Sequence, residues 1–198
     1  MFTGIIQNLG EIIDFSNGEL KISTPLDLSD CKIGSSICCD GVCLTATDIN
    51  YNNSNYIFKV NLGEETQLRT NYSYNKIYKS KKINLEKSLK IGDEISGHFV
   101  YGHVDTTTKI KKIIELKNSW EFYFNNFQNK NSKFIIEKAS IAINGISLTI
   151  AKVEKSQFVI SIIPHTFKNT NLKFLNENNI VNIEFDYLAR FAEKSVNK

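Results

Sequence analysis

Two short segments of the chain carry thiol and hydroxyl side chains at the same spacing. CDGVCLTATDI contains Cys43 and Thr45, and INGISLTIAKV contains Ser147 and Thr149. In an extended strand, residues two apart point to the same side and lie about 6.6 Å apart along the chain. Small polar groups on one face can hydrogen-bond a ligand without filling its space. The alternative is an ordinary half-exposed strand face, but the recurrence of the pair favours one ligand site in each segment.

The histidines are candidates for proton transfer rather than for metal binding. His98 and His103 lie five residues apart in GHFVYGHVD. On a strand this spacing places them on opposite faces, so they are not expected to chelate one metal ion. His103 follows Gly102, which lets a ligand or backbone approach closely. A structural role for His103 is the alternative, and His165 is predicted to lie in a loop.

The four cysteines, Cys31, Cys38, Cys39 and Cys43, fall within one short stretch that has no C-x-x-C pair and no nearby histidine. This spacing argues against a zinc site. The sequence also lacks a phosphate-binding loop, a dinucleotide fingerprint, a G-x-S-x-G elbow and an H-E-x-x-H motif. We therefore predict no metal and no cofactor.

The elements that must position these groups form an internal repeat. CDGVCLTATDI is echoed by INGISLTIAKV, ETQLRTN by HTFKNTN, KINLEKSL by IVNIEFDYL, and MFTGIIQNLGEI more weakly by FVYGHVDTTTKI. All four echoes occur in one order at an offset of about 100 residues, which is far longer than a solenoid repeat. Each copy is therefore expected to be a domain with its own core.

Each copy has the pattern of a β-domain. Apolar and polar residues alternate in the paired segments, and YIFKVNL, SWEFYF, KFIIEK and QFVISII are further predicted strands. About six short strands in under 100 residues favour a small closed barrel, because closure removes exposed sheet edges. The last segment, 186–198, is predicted to be a helix with Leu188, Phe191 and Val196 on roughly one side.

Composition narrows the class of protein. The chain has 198 residues, 41% of them hydrophobic, and a net charge of +3 from 24 basic and 21 acidic residues. This charge is too small to indicate a nucleic-acid or membrane-surface partner. The N-terminus lacks the basic start and apolar core of a signal peptide, and no apolar run reaches the length of a membrane span. We expect a soluble cytoplasmic protein with reduced thiols.

Several of these segments together resemble the riboflavin synthase family. The resemblance covers essentially the whole chain and rests on MFTGII, GVCLT, NLEKSLKIGDEISGHFVYGHVD, GISLT and IPHTFKNTNL in that order. It implies two tandem six-stranded Greek-key barrels over 1–98 and 99–187, and a short C-terminal helix over 188–198 that holds a homotrimer. It also implies a metal-free and cofactor-free dismutation of two 6,7-dimethyl-8-ribityllumazine molecules. One molecule gives a four-carbon unit to the other, which yields riboflavin and 5-amino-6-ribitylamino-uracil. The small-molecule substrate and product are then the main partners, with lumazine synthase as a further one.

The resemblance also assigns residues to the site. The positions it implicates in the chemistry are Phe2, Ser36, Cys43, His103, Ser147 and Thr149. Its substrate-binding positions in the first copy are Gly4, Ile5, Ile6, Cys43, Leu44, Thr45, Asn61, Leu62, Gly63, Glu64, Glu65 and Thr66. Those in the second copy are Gly102, His103, Val104, Lys138, Ser147, Leu148, Thr149, Ile162, Ile163, Pro164, His165, Thr166 and Phe167. The reacting lumazines are expected to meet between the first barrel of one subunit and the second barrel of its neighbour.

Two positions depart from the family pattern. Asp40 stands where the first copy often has Asn, and Asn144 stands where the second often has Asp. The main alternative function is a non-enzymatic lumazine- or flavin-binding antenna protein of the same fold. A tandem-barrel oxidoreductase module is a more distant alternative, which the lack of a nicotinamide-binding domain disfavours.

Overall fold

A computed structural model describes residues 1–73, 79–127 and 130–196, and within these the first barrel has six strands. Hydrophobic residues alternate with polar ones along most of them, so one face of each strand lines a common core. A short helix follows the fifth strand. The elements are β1 (Asn8–Ser16), β2 (Glu19–Thr24), β3 (Ser36–Cys39), β4 (Val42–Asn52), β5 (Asn55–Asn61), α1 (Glu64–Arg69) and β6 (Lys82–Lys87).

The second barrel repeats this order. Its elements are β7 (Thr106–Glu115), β8 (Trp120–Asn125), β9 (Ser140–Ile143), β10 (Ile146–Val153), β11 (Gln157–Ile162), α2 (Pro164–Asn169) and β12 (Ile180–Phe185). Helix α3 (Tyr187–Val196) follows it. The last two residues of the predicted C-terminal helix, 197 and 198, lie outside the described residues, as does the side chain of Val196.

Both sheets close on themselves with the same strand order. Neighbours around the first barrel run β1-β2-β5-β4-β3-β6, and those around the second run β7-β8-β11-β10-β9-β12, with every pairing antiparallel. This is the Greek-key connectivity, and it confirms the predicted fold of two tandem six-stranded barrels with a short C-terminal helix. Closure leaves no barrel strand with an unpaired edge.

The predicted alternation along the paired segments is observed. On β4, Val42, Leu44 and Ala46 are buried in the core of the first barrel, whereas Thr45 is exposed and Cys43 is half-buried. On β10, Ile146 and Ile150 are buried, Ser147 and Leu148 are half-buried and Thr149 is exposed. Each strand therefore presents its thiol or hydroxyl groups on the outer surface of its barrel.

Two local predictions were wrong. KFIIEK is not a strand, because a 3₁₀ turn covers Lys130–Phe134 and, among the described residues, the next strand after β8 begins at Ser140. His165 lies in the first turn of α2 rather than in a loop. Pro164, the first residue of that helix, has a backbone angle already suited to it and lacks only an N–H that the first turn would leave unpaired.

The two barrels contact each other at the β3–β4 turn of the first and the β9–β10 turn of the second. Asp40 and Asn144 hold equivalent positions there with φ of 48° and 46°, each followed by a glycine with positive φ. A Cβ added to Gly41 would lie 2.7 Å from the backbone nitrogen of Gly145. Only glycine allows the two turns to approach this closely.

A network of buried amides joins the barrels around these turns. The backbone N–H of Asn84 donates to Oδ1 of Asp40, and that of Asn182 donates to Oδ1 of Asn144, each at 2.8 Å. The side chains then cross the interface, since Asn84 Nδ2 donates to the Asn144 carbonyl at 2.9 Å and Asn182 Nδ2 donates to the Asp40 carbonyl at 2.8 Å. Buried amides need such partners, so the network fixes how the barrels face each other.

The same network holds the chain that follows α1 and α2. The N–H of Asn71, just after α1, donates to Oδ1 of Asn182 in the second barrel at 2.7 Å. The N–H of Asn171, after α2, donates to Oδ1 of Asn84 in the first barrel at 2.7 Å. Each short helix is thus anchored to the barrel that it does not belong to.

The exchange of Asp40 and Asn144 breaks the symmetry of this network. Asn171 Nδ2 donates to Oδ1 of Asp40 at 2.9 Å, whereas the equivalent Asn71 Nδ2 contacts the Ile180 carbonyl at 3.5 Å. Among the described residues, Oδ2 of Asp40 has no hydrogen-bond donor, and the nearest ion-pair partner is Lys81 Nζ at 3.9 Å. Burial raises the pKa of Asp40 to about 6, against the opposing charge of Lys81.

Asp40 should therefore make the stability of the protein depend on pH. Its pKa in the folded protein lies above its usual value of 3.8, so its contribution is present at low pH and is lost as the pH rises through about 6. The shift corresponds to about 3 kcal/mol at most. We predict that Asp40→Asn gains stability relative to the wild type as the pH rises from about 4 to about 7, a range that spans the two pKa values.

Urea unfolding of both proteins at the two pH values measures this effect. Other buried carboxylates are common to both proteins, so the difference between them isolates Asp40. A constant difference across the pH range would show that Asp40 has the same pKa in the folded and unfolded states, and so that burial does not raise it.

Candidate active site

The two barrels exchange the segments that precede their first strands. The backbone N–H of Ser147 on β10 donates to the Gly4 carbonyl, and that of Cys43 on β4 donates to the Gly102 carbonyl, each at 2.8 Å. Ile6 packs against the core of the second barrel, and Val104 packs against that of the first. The outer face of β4 is therefore covered by the segment before β7, and that of β10 by the segment before β1, so each barrel contributes to the face of the other.

Glycine is required where these segments cross. Gly4 and Gly102 have φ of +76° and +79°. A Cβ on Gly4 would lie 2.6 Å from the Ser147 nitrogen, and one on Gly102 would lie 2.5 Å from Cβ of Cys43. Any side chain at either position would push the segment away from its strand.

Two equivalent buried glutamates hold the exchanged segments. Oε1 of Glu86 on β6 accepts the N–H and hydroxyl of Thr3 at 2.7 and 2.8 Å, and Oε2 accepts the N–H of Gly4 at 3.0 Å. Glu184 on β12 accepts the N–H groups of residues 101–103 at 2.6, 2.8 and 3.0 Å. Burial raises the pKa of both carboxyls, and the donated hydrogen bonds oppose that rise.

The second-barrel site contains a histidine that the sequence analysis did not assign. Nδ1 of His98 lies 2.7 Å from Oγ of Ser147, and burial lowers the pKa of His98. The sequence analysis placed His98 and His103 on opposite faces of a strand, but only Val100 of that segment pairs, in an isolated bridge with Phe2. The two histidines therefore serve separate sites, and the signal for His98 was its place in GHFVYGHVD.

The first-barrel site is an open cavity of about 230 Å³. His103 and Val104, from the exchanged segment, form one wall of it. The side chain of His103 is exposed, and Arg69 Nε lies 2.9 Å from Oε1 of Glu65. The lining residues are Val42, Glu65, Thr66, Arg69, Thr70, His103 and Val104.

The remaining predicted site residues lie on several elements of the two barrels. Ser36 lies opposite Thr45 in the β3–β4 pairing, beside the first-barrel strand face. Phe167 stacks on Trp120 in the second barrel, with ring centroids 4.0 Å apart and planes 6° apart. The predicted residues just before and at the start of α1 and α2 are exposed: Asn61, Gly63, Glu64, Ile163, Pro164 and His165.

Other predicted residues lie away from the open surface. Leu44 and Leu62 point into the first core and Ile162 into the second, so only their backbones face the sites. Phe2 is fully buried between the barrels, where it pairs with Val100. Lys138 is exposed, with φ of 68°, and its N–H donates to the Ile150 carbonyl at 2.8 Å.

Two further observations concern ligands and membranes. In the described part of the chain, no three His, Cys, Asp or Glu side chains converge in a way that could hold a metal ion. Within the same residues, no helix is both long and apolar enough to span a bilayer.

Comparison with known proteins identifies the class to which this architecture belongs. The model of the Lumazine binding domain family matches residues 3–88 and again 101–186, one match for each barrel. The fold is also that of LumP complexed with riboflavin, with a TM-score of 0.78 at 21% identity over 93% of this chain and 99% of that one. The protein is a tandem lumazine-binding-domain protein.

Curated relatives make the assignment more specific. The chain is 37% identical to riboflavin synthase of Actinobacillus pleuropneumoniae over 198 residues, covering 98% of this chain and 89% of that protein. It is 35% identical to riboflavin synthase of Schizosaccharomyces pombe, covering 99% and 94%, and 35% identical to that of Bacillus subtilis, covering 100% and 91%. The chain therefore belongs to the riboflavin synthase family.

Glu184 is predicted to hold the exchanged segment that precedes β7 in place. Glu184→Ala removes the acceptor of three backbone N–H groups, and each buried group left unpaired costs about 1–3 kcal/mol. We expect a lower free energy of unfolding for the whole protein. We also expect weaker ligand binding at the first-barrel site, because Gly102 contacts β4 and His103 and Val104 line the cavity there.

Urea unfolding and lumazine titration measure the two effects. Glu177→Ala is the matched control, because the exposed Glu177 makes only a 3.4 Å contact with the N–H of Ile113. If the two variants behaved alike, Glu184 would not be what holds the segment.

Proposed function

We propose that this chain makes riboflavin by the dismutation of two molecules of 6,7-dimethyl-8-ribityllumazine. The observation that carries the proposal is the presence of two equivalent polar strand faces, each completed by a segment from the other barrel. The reaction needs two copies of one substrate, and two related sites are suited to binding them. LumP, whose fold this chain shares, has been seen with the same lumazine.

The two sites differ in the chemistry that they offer. The first has Cys43 and an exposed His103, and the second has Ser147 hydrogen-bonded to His98. The reaction requires that a proton leave the C7 methyl group of one lumazine and that a nucleophile add at C7 of the other. His103, whose imidazole is exposed at this site, is suited to carry the proton. Cys43 and Ser147 are suited to polarise or add to a ring.

Alignment of the two substrates is a further source of rate. Holding two reactants in register turns a bimolecular step into an effectively unimolecular one. In this proposal the first barrel of one subunit faces the second barrel of its neighbour, with one lumazine on each. The ligand-binding units are 1–98 and 99–187, and each borrows its exchanged segment from the other.

A homotrimer built on α3 would bring such sites together. Leu188 and Phe191 on this helix are 67% and 65% exposed in the single chain, although both are large and apolar. Arg190 fixes the helix to its own barrel by donating to Oδ1 of Asp105 at 2.8 Å. A cytoplasmic location is also part of the proposal, and the family resemblance adds lumazine synthase as a partner.

The competing function is ligand binding without catalysis, since LumP, whose fold this chain shares, has been seen in complex with riboflavin and with the lumazine. The enzyme is favoured because both sites carry polar groups that could take part in chemistry, Cys43 and His103 in the first and Ser147 and Thr149 in the second. Incubation of the purified protein with the lumazine, followed by riboflavin fluorescence and chromatography of the pyrimidine product, tests it. Tight binding without formation of either product would establish the binding protein instead.

His103→Ala tests the role of the first-barrel histidine. We expect turnover to fall by about 10²–10⁴-fold, the range for loss of a general acid or base. Lumazine affinity should change much less, because the backbone and the ribityl contacts remain. Steady-state rates and binding titrations are measured side by side, together with Ser147→Ala and Cys43→Ala. Wild-type turnover in His103→Ala would remove this residue from the mechanism.

Assembly is tested on the exposed face of α3. Each of Leu188 and Phe191 is worth about 1.5–3 kcal/mol if it becomes fully buried. The double variant Leu188→Glu with Phe191→Glu should therefore be monomeric by light scattering, with lumazine binding kept and turnover largely lost. Deletion of 186–198 should have the same result. If either variant remained a trimer, the subunit contact would lie elsewhere.

A further inference from the structure

Cys38 and Cys43 lie directly opposite each other on neighbouring strands. Asp40 and Gly41 form the two-residue turn of the β3–β4 hairpin with positive φ at both positions, and Cys38 pairs with Cys43 one step beyond the first pair. The N–H of Cys43 points away from Cys38 and donates to the Gly102 carbonyl at 2.8 Å. The two cysteines therefore form a non-hydrogen-bonded pair, the type in which the side chains are closer.

This pairing meets the geometric requirement for a disulfide. The Cα atoms of a non-hydrogen-bonded pair are about 4.5 Å apart, within the range of about 4.4–6.8 Å that disulfides span. Both side chains point out of the first barrel and share the small cluster with Phe2, Val100 and Ala142. Cys39 points the other way, into the barrel core. The thiol of Cys38 lies near the Gly41 N–H, and forming the bond requires it to leave that donor.

The two thiols differ in access. Cys43 is half-buried and directly follows Val42, which lines the first-barrel cavity, so part of its side chain is open to a small molecule. Cys38 is buried, and this burial, with Glu86 nearby, raises the pKa of its thiol. Oxidation is therefore expected to begin at Cys43, with Cys38 as the resolving thiol.

We propose that Cys43 and Cys38 form a reversible disulfide when a hydroperoxide enters the first-barrel site. In the first step the Cys43 sulfur attacks the peroxide, the O–O bond breaks, and a sulfenic acid and water (an alcohol, for an organic peroxide) are formed. In the second step the Cys38 sulfur attacks the Cys43 sulfur, the S–OH bond breaks, and the hydroxide leaves with the Cys38 proton as water. Two thiols are oxidised by two electrons and one peroxide is reduced. A dithiol reverses the change.

The second barrel has no such device, because its equivalent pair is Ala142 opposite Ser147. The disulfide would therefore withdraw the Cys43 thiol from one site only and leave the Ser147 site unchanged. Loss of turnover on oxidation rests on the function proposed above, whereas formation of the bond does not. The two are tested by separate measurements.

The test treats the full-length protein with hydrogen peroxide, blocks free thiols by alkylation, and cleaves before aspartate. Cleavage at Asp30, Asp40 and Asp48 places Cys38 and Cys43 on different peptides, 30–39 and 40–47. We expect mass spectrometry to find these peptides linked in the wild type and in Cys39→Ala, and unlinked in Cys38→Ala. Riboflavin formation should be lost on oxidation and restored by dithiothreitol in the wild type. In Cys38→Ala it should be lost without restoration, because Cys43 is then oxidised further.

Two results would overturn the proposal. One is a link that persists in Cys38→Ala, which would assign the bond to another cysteine of peptide 30–39. The other is a wild-type Cys43 that is oxidised to sulfinic acid while Cys38 is still alkylated. Both are read from the peptides, so they hold even for a protein that binds lumazine without converting it.

Discussion

The buried amide network between the barrels is the constraint on which the rest of the structure depends. Asn84 and Asn182 each bond the turn of the opposite barrel and the chain that follows the opposite short helix. A buried amide without partners is costly, so the two barrels have one relative orientation that satisfies the set. The close approach of Gly41 and Gly145, which leaves no room for a side chain at either position, adds to this constraint.

Once the barrels are fixed in this way, their leading segments can be exchanged. Glu86 and Glu184 hold these segments by their backbone N–H groups, and the glycines at the crossing points allow contact with the strand of the other barrel. Each site is therefore built from both halves of the chain. A change at the interface between the barrels is expected to reach both sites.

The two halves keep the same backbone and differ in their polar groups. His103 in one exchanged segment corresponds to Ile5 in the other, and Cys43 corresponds to Ser147. Asp40 and Asn144 place a titratable group on one side of the interface only. A dismutation gives different roles to two identical substrates, so sites with one shape and different functional groups suit it. The cysteine pair extends the difference to redox sensitivity.

The sequence by itself determined the repeat, the strand faces, the barrel class and the family. The repeat follows from similar segments about 100 residues apart, and the strand faces follow from local spacing, because Cys43, Thr45 and their neighbours alternate with a period of two. The family was identified from the resemblance of several motifs taken together. Only the tertiary structure decided that Gly4 lies on β10, that Gly102 lies on β4, and that His98 reaches Ser147. Those contacts join residues far apart in the chain, and the periodicity of a segment carries no information about which distant segment will cover its outer face. The strand predicted at KFIIEK was wrong for a related reason. Its β-forming side chains indicate a strand, but they do not show whether a partner strand is close enough to pair with it.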